Sequence, residues 1–233
     1  MFAEITAEKE ELEHMLWRII VVGGHTRSIG KTQLVCDLIA AFPEGNWVAG
    51  KITQYGHGVC AQNGENCDCA PDEHICAISW ERQANATDSG RFLASGARRS
   101  FWLRTKQGFL AEGLPLLRQL LQEAARDAAS ESGQLILESN TLLQFLRPSL
   151  YLVVLDPSKA DFKESARLHM DRASAFVLRH PLRNATAAPA WSGVPLQHMR
   201  NKPQFLQREG EALPQDLREC VQGILHDTTG VAM

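Results

Sequence analysis

Three groups of side chains in this chain have types and spacings that could do chemistry. The first is the segment "GGHTRSIGKT", residues 23–32, which ends in Gly30, Lys31 and Thr32. A phosphate cradle needs inward-facing backbone N–H groups, a helix N-terminus for positive potential, a lysine for the outer phosphates and a hydroxyl for Mg²⁺. Gly24 opens this loop, and the N–H groups of Ser28, Ile29, Gly30, Lys31, Thr32 and Gln33 are the ones that would face the phosphate oxygens. Five residues separate Gly24 from Gly30, one more than the usual spacing of such a loop.

The second group is a pair of carboxylates. Glu138 closes the apolar run "LILE", and a ligand of an open α/β sheet sits at the carboxyl ends of its strands. Mg²⁺ prefers hard oxygen ligands, so Glu138 with Thr32 would form a magnesium site, and Asp88 is a second acidic candidate. Each carboxylate could instead serve as a helix cap.

The third group is Cys60, Cys67, Cys69 and Cys76, spaced C-x6-C-x-C-x6-C. In a reducing compartment such crowding points to metal chemistry before disulfides, and four thiolates can wrap one tetrahedral Zn²⁺ or an iron–sulfur cluster. The tight C-x-C pair differs from the C-x2-C of a zinc ribbon. A structural Zn²⁺ is the simpler expectation, with His57 and His74 as reserve ligands and an iron–sulfur cluster as the open alternative. Cys36 and Cys220 stand apart and read as buried, inert thiols.

These groups require elements to position them. A charged helix over 4–16 would lead into a buried strand at Arg18–Val22, and Thr32 to Phe42 places Leu34, Val35, Leu38 and Ile39 on one helical face. Further strands are predicted at Trp47–Thr53, near Ser100–Arg104, over 134–139, 150–156 and 174–178. Helices are predicted at Asp88–Ser95, over 161–171, at Pro214–Leu225 and in a segment whose first turn holds Pro115 and whose stripe is Leu117, Leu120, Leu121, Ala124 and Ala128. Alternating strands and helices predict a three-layer α/β fold with a mostly parallel sheet. One domain over 1–233 is expected, with 54–86 as a Cys-rich, metal-binding insertion after the second strand, too long for a passive loop.

Composition limits the partners. The 233 residues are 44% hydrophobic and 22% charged, and 24 basic against 27 acidic side chains leave a formal charge of −3, which argues against a nucleic-acid surface. No apolar run reaches the roughly 20 residues of a membrane helix. The acidic start "MFAEITAEKEELEHMLWR" lacks the order of a signal peptide, so a cytoplasmic location is expected.

Four stretches, "VVGGHTRSIGKTQLV", "AGKITQYGHG", "TDSGRFLASGA" and "QLILESN", together resemble in order the landmarks of the MobB family, P-loop accessory proteins of molybdopterin-guanine dinucleotide biosynthesis. The likeness spans roughly residues 18–140. It implies that Lys51 and His57 match a strand-end lysine and the histidines after it. Asp88, Ser89, Gly96 and Ala97 match the third landmark, and Glu138 matches the strand glutamate. The loop spacing and the lysine of "GKIT" are also similar to dethiobiotin synthetase, where the equivalent lysine is catalytic. Here "ESNTLLQF" follows Glu138 in place of that enzyme's glycines. Arg179 and His180 stand where GTPases of this class often carry an asparagine–lysine pair for guanine, which leaves GTP and ATP both open.

The resemblance implies a nucleotide-binding protein with slow GTP or ATP hydrolysis, acting in molybdenum-cofactor biosynthesis or delivery. Lys31, Glu138 and Asp88 would be its catalytic residues, Thr32 and Glu138 its Mg²⁺ ligands, and Lys51 would face the nucleotide or a delivered substrate. A dethiobiotin-like ligase and a metal-delivery or redox-sensing GTPase using the four cysteines are the alternatives. The partners expected are GTP or ATP and a molybdenum-cofactor protein, with a homodimer left open.

Overall fold

The apolar run that precedes the glycine loop becomes the central strand of the sheet. The computed structural model describes residues 16–56, 75–128, 132–181, 191, 196–226 and 231–232. Strand β1 (Leu16–Gly24) lies between β5 (Ser132–Glu138) and β6 (Leu150–Leu155), parallel to both. Beyond β5 come β2 (Val48–Tyr55) and β4 (Arg99–Lys106), and beyond β6 come β7 (Ala175–Leu178) and β8 (Gln204–Leu206), all parallel. Two strands run the other way: β3 (Cys76–Trp80) on the edge beside β4, and β9 (Val231–Ala232) against the start of β1.

Buried strands need apolar side chains on both faces, and β1 supplies them by alternation. Trp17, Ile19 and Val21 join one core cluster, with Leu117, Leu120, Leu121 and Ala124 of α3 (Leu110–Ala128). Ile20 and Val22 join the other, with Leu34, Val35, Leu38 and Ile39 of α1 (Lys31–Ala41), Phe92 of α2 (Asp88–Ala94), and Leu217 and Val221 of α5 (Gln215–His226). Helices therefore cover both faces, and the three-layer α/β architecture is the one expected. No helix among the described residues is long and apolar enough to cross a membrane.

Several local expectations change. Within the insertion expected over 54–86, residues 76–80 form a strand that was not predicted; the five-residue edge strand is defined by its partner β4 and shows only a weak apolar period of its own. The helix holding Pro115 starts five residues earlier, at Leu110, so the proline sits in the helix interior and leaves the Ala111 carbonyl without its usual donor. The predicted helix over 161–171 shrinks to one turn, α4 (Glu164–Arg167), and a 3₁₀ turn (Met170–Arg172), because the backbone of Asp161 and Lys163 is bound to His25. Leu16 already belongs to β1, and the rest of the predicted first helix lies outside the described residues.

Strand register sets the functional end. Glu138 is the register partner of Val22 on one side and of Lys51 on the other. Val22 near the end of β1, Lys51 in the middle of β2 and Glu138 at the end of β5 thus lie in one row, within reach of the start of α1.

Candidate phosphate and cation site

Gly23 and Gly24 end β1 where a larger residue would collide. A Cβ on Gly23 would lie 2.5 Å from Asn140 Oδ1 and 2.7 Å from the Tyr151 hydroxyl. Asn140 grips Gly24 from both sides: its Oδ1 accepts the Gly24 N–H at 2.8 Å and its Nδ2 donates to the Gly24 carbonyl at 2.9 Å. The chain then curls through Ser28 and Gly30, both in the left-handed region at φ 50° and 83°. Gly30 is required there, since a Cβ would also meet the Arg179 guanidinium at 2.6–2.8 Å.

The first helical bond of α1 runs from the Leu34 N–H to the Gly30 carbonyl. The N–H groups of residues 31–33 therefore have no helical acceptor and give the loop an electropositive helix N-terminus. Lys31 folds back over the loop and donates from Nζ to the Thr26 carbonyl at 2.7 Å. Burial pulls its pKa down, against the opposing pull of Glu138. An ammonium held by one carbonyl and short of solvent is ready for a stronger anionic acceptor. The Ile29 side chain is buried in the core, so only its backbone can serve a ligand.

Beside this loop lies a compact polar cluster. Thr32 Oγ1 donates to Glu138 Oε2 at 2.7 Å, and Lys51 Nζ lies 2.5 Å from Glu138 Oε1 and 2.7 Å from Asp88 Oδ2. Glu138 is 3% exposed, so its charge depends on these partners. Burial acts to lower the Lys51 pKa, yet the charges and hydrogen bonds of Glu138 and Asp88 outweigh it and hold the ammonium above its ordinary range. Burial likewise acts to raise the Asp88 pKa, and Lys51, Thr32 and Arg91 reverse it, so this carboxylate ionises more readily than usual. Hard oxygens from Thr32, Glu138 and Asp88 converge where the protein's own cation now sits. That donor set fits Mg²⁺.

The opposite flank is built by the segment after β6. His25 is fully buried between the rings of Phe162 and Trp191, 5.1 and 4.9 Å away. Its Nε2 accepts the Asp156 N–H at 3.0 Å and its Nδ1 donates to the Asp161 carbonyl at 2.8 Å, an arrangement that assigns the neutral imidazole with the proton on Nδ1. Burial depresses its pKa accordingly. The Lys163 N–H donates to the His25 carbonyl at 2.7 Å, Thr26 Oγ1 donates to Asp161, and Lys159 Nζ donates to the Ser28 carbonyl at 2.5 Å.

Arg179 secures the loop from behind. Its guanidinium donates to the carbonyls of Ile29 and Gly30 and to the Gln207 side chain, which in turn donates to Asp37. Gln33 also donates to Asp37 and accepts from Arg91. Arg179 is buried at 7% exposure, so it is a scaffold of the loop, while His180 beside it is exposed. The side chain of Gln33 is likewise committed to this network, which leaves its backbone N–H for a ligand.

The structure thus brings Gly24, Ser28, Gly30, Lys31, Thr32, Lys51, Asp88 and Glu138 to one edge of the sheet. Asn140, His25, Arg179 and Lys163 join them, and sequence reasoning had given none of these four a role at the loop. Asn140 stands within the quoted "ESN", two residues past the glutamate, which was a usable signal. Of the cysteines, Cys36 is buried and Cys76 is the first residue of β3, with its Sγ 3.5 Å from the Glu112 carbonyl. His57, Cys60, Cys67, Cys69 and His74 lie outside the described residues. Among the described residues, no group of three or more His, Cys, Asp or Glu side chains could hold a metal.

No protein-family model and no curated protein matches the chain. Among solved structures, HypB from Helicobacter pylori in complex with nickel aligns with a TM-score of 0.51 at 12% identity, over 100% of this chain and 97% of that one. The likeness is one of fold: it supports the mostly parallel α/β architecture and does not single out the MobB family.

Proposed function

We propose that the protein binds a nucleoside triphosphate, GTP or ATP, with Mg²⁺ and hydrolyses it slowly. One observation carries this reading: Thr32, Glu138, Asp88 and Lys51 meet within hydrogen-bond distance at the N-terminus of α1, directly beside a glycine loop whose lysine rests on a carbonyl. Lys31 exchanges the Thr26 carbonyl for outer phosphate oxygens, and the N–H groups of residues 28–33 hold the phosphates. Thr32, Glu138 and Asp88 would hold Mg²⁺, which when bound neutralises phosphate charge and polarises a phosphoryl oxygen. With Glu138 and Asp88 engaged in that role, Lys51 would leave both carboxylates and turn its ammonium toward the phosphates or a second substrate. Glu138 and Asp88 order water at the same edge.

Molybdenum-cofactor handling is the finer role we assign on the MobB-like landmarks, and soluble, cytoplasmic action fits it. A second reading, metal delivery, is favoured by the four-cysteine spacing and by the nickel in the HypB structure. In that reading the cysteines carry a cargo ion and hydrolysis releases it. Metal analysis of protein purified under nitrogen separates the two: cargo leaves to a chelator while the fold survives, and a structural Zn²⁺ does not.

Calorimetric titration of ATP and GTP into the wild type and Lys31→Ala tests the main proposal. Measurable binding by the wild type and its loss in the folded variant are expected. Equal affinities in the two proteins would refute the phosphate-cradle reading.

A further inference from the structure

Lys163 sits on the segment that flanks the glycine loop opposite the carboxylates, and the proposed hydrolysis does not use it. Its backbone position is fixed: the Lys163 N–H donates to the His25 carbonyl at 2.7 Å, and its own carbonyl accepts the N–H groups of Ala166 and Arg167 in α4. Two residues earlier, Asp161 takes the His25 Nδ1 proton on its carbonyl and the Thr26 hydroxyl on its carboxylate. The packing of His25 against Phe162 and Trp191 closes this anchor. A segment bound at His25 and Thr26 keeps its register relative to the loop.

The Lys163 side chain differs from the other lysines here. Lys31 has the Thr26 carbonyl, Lys51 has two carboxylates and Lys159 has the Ser28 carbonyl. Lys163 is half-buried, and among the described residues its ammonium has no hydrogen-bond or ion-pair partner. The charges that act on it are Lys31 and Arg27 from the loop, Lys51 from β2 and, opposing them, Asp161 from its own segment. Burial first, and then those three cations, bring its pKa down to about 8. A partly desolvated ammonium among cations is unfavourable unless an anion joins them.

We propose that Lys163 is a third phosphate-contacting lysine of this site, and that it recognises the terminal phosphate of a nucleoside triphosphate. Lys163 is anchored on His25, next to the Thr26 carbonyl on which the Lys31 ammonium rests, and that is the outer-phosphate side of the loop in the reading above. The residue therefore discriminates triphosphate from diphosphate and is a specificity determinant. This inference rests on the phosphate reading of the loop.

Calorimetry of wild type, Lys163→Gln, Lys163→Arg and Lys31→Ala with ATP, GTP, ADP and GDP tests it. Lys163→Gln should weaken triphosphate binding about tenfold and change diphosphate binding less than about twofold, and Lys163→Arg should restore it. A second readout is pH. A phosphate's second ionisation is complete well below pH 8, so a fall in wild-type triphosphate affinity above about pH 8 reports lysines. That fall should be shallower in Lys163→Arg, whose charge does not titrate there. If the wild type binds and Lys31→Ala does not, while Lys163→Gln keeps the wild-type preference for triphosphate, the inference is wrong and the phosphate reading stands. If the wild type binds none of the four nucleotides, the phosphate reading itself fails. Equal losses for triphosphate and diphosphate in Lys163→Gln would also overturn the inference, because they mark a structural role.

Discussion

The two flanks of the glycine loop handle charge in opposite ways. On the β2–β5 side, Lys51 lies between Glu138 and Asp88, and Thr32 completes the set, so each charge has its counter-charge within the protein. On the β6 side, Lys163 stands among cations with no carboxylate in contact among the described residues. The first flank is stable as it is and must be opened by a competing cation. The second carries a deficit of negative charge, which the proposed phosphate would fill. A site that takes a metal on one side and phosphates on the other needs this asymmetry, since an ion pair on the phosphate side would have to be broken by every ligand.

The largest effect is expected at Lys31, the residue common to both flanks. Lys31→Ala should lower ATP and GTP affinity on the order of 100-fold in calorimetry with an unchanged circular-dichroism spectrum. Glu138→Gln acts on the neutralised flank alone. It should spare triphosphate binding without Mg²⁺ while shifting the magnesium titration midpoint upward by about tenfold or more. Identical magnesium titrations would return Glu138 to a purely structural role.

Arg179→Met leaves both flanks chemically intact but removes the support of the Ile29 and Gly30 carbonyls. A loss of about 2 kcal/mol in urea denaturation is expected, with weaker binding of triphosphate and diphosphate alike. A pure stability change with unaltered affinities would separate the scaffold from the cradle. The smallest effect concerns His25. Its folded pKa lies below the unfolded value near 6.5, so the unfolded state takes up the proton first, and stability falls as pH drops below about 6.5. His169, also depressed by burial, contributes with the same sign. Urea midpoints should therefore be lower at pH 5.5 than at pH 7.5, and the difference should shrink in His25→Gln.

What could be read from the chain was local. A buried strand, a glycine loop and an amphipathic helix occur in direct succession, so Lys31 and Thr32 were legible, and Glu138 was legible because the apolar run Leu135–Leu137 delivers it to a strand end. The pairing of Lys51 with Glu138 follows from strand register, which spacing along the chain does not reveal. Arg179 occupied a position that pattern reading reserved for base recognition, yet burial and two loop carbonyls turn it inward. Lys163 was hidden inside a predicted helix, because the long-range bonds of Asp161 and Lys163 to His25 override that helical tendency. The edge strand at Cys76 was missed for a related reason: β4 supplies the pairing that five half-exposed residues do not announce.

The phosphate cradle is probed most cleanly by an anion with no base and no sugar. Inorganic tripolyphosphate, titrated calorimetrically into the full chain with and without Mg²⁺, isolates the phosphate cradle from every other source of affinity. Saturable binding to about one site per chain is expected, strengthened by Mg²⁺, competed by ATP and GTP, and abolished by Lys31→Ala. Absence of binding to tripolyphosphate, ATP and GTP at millimolar concentration would contradict the phosphate-cradle reading.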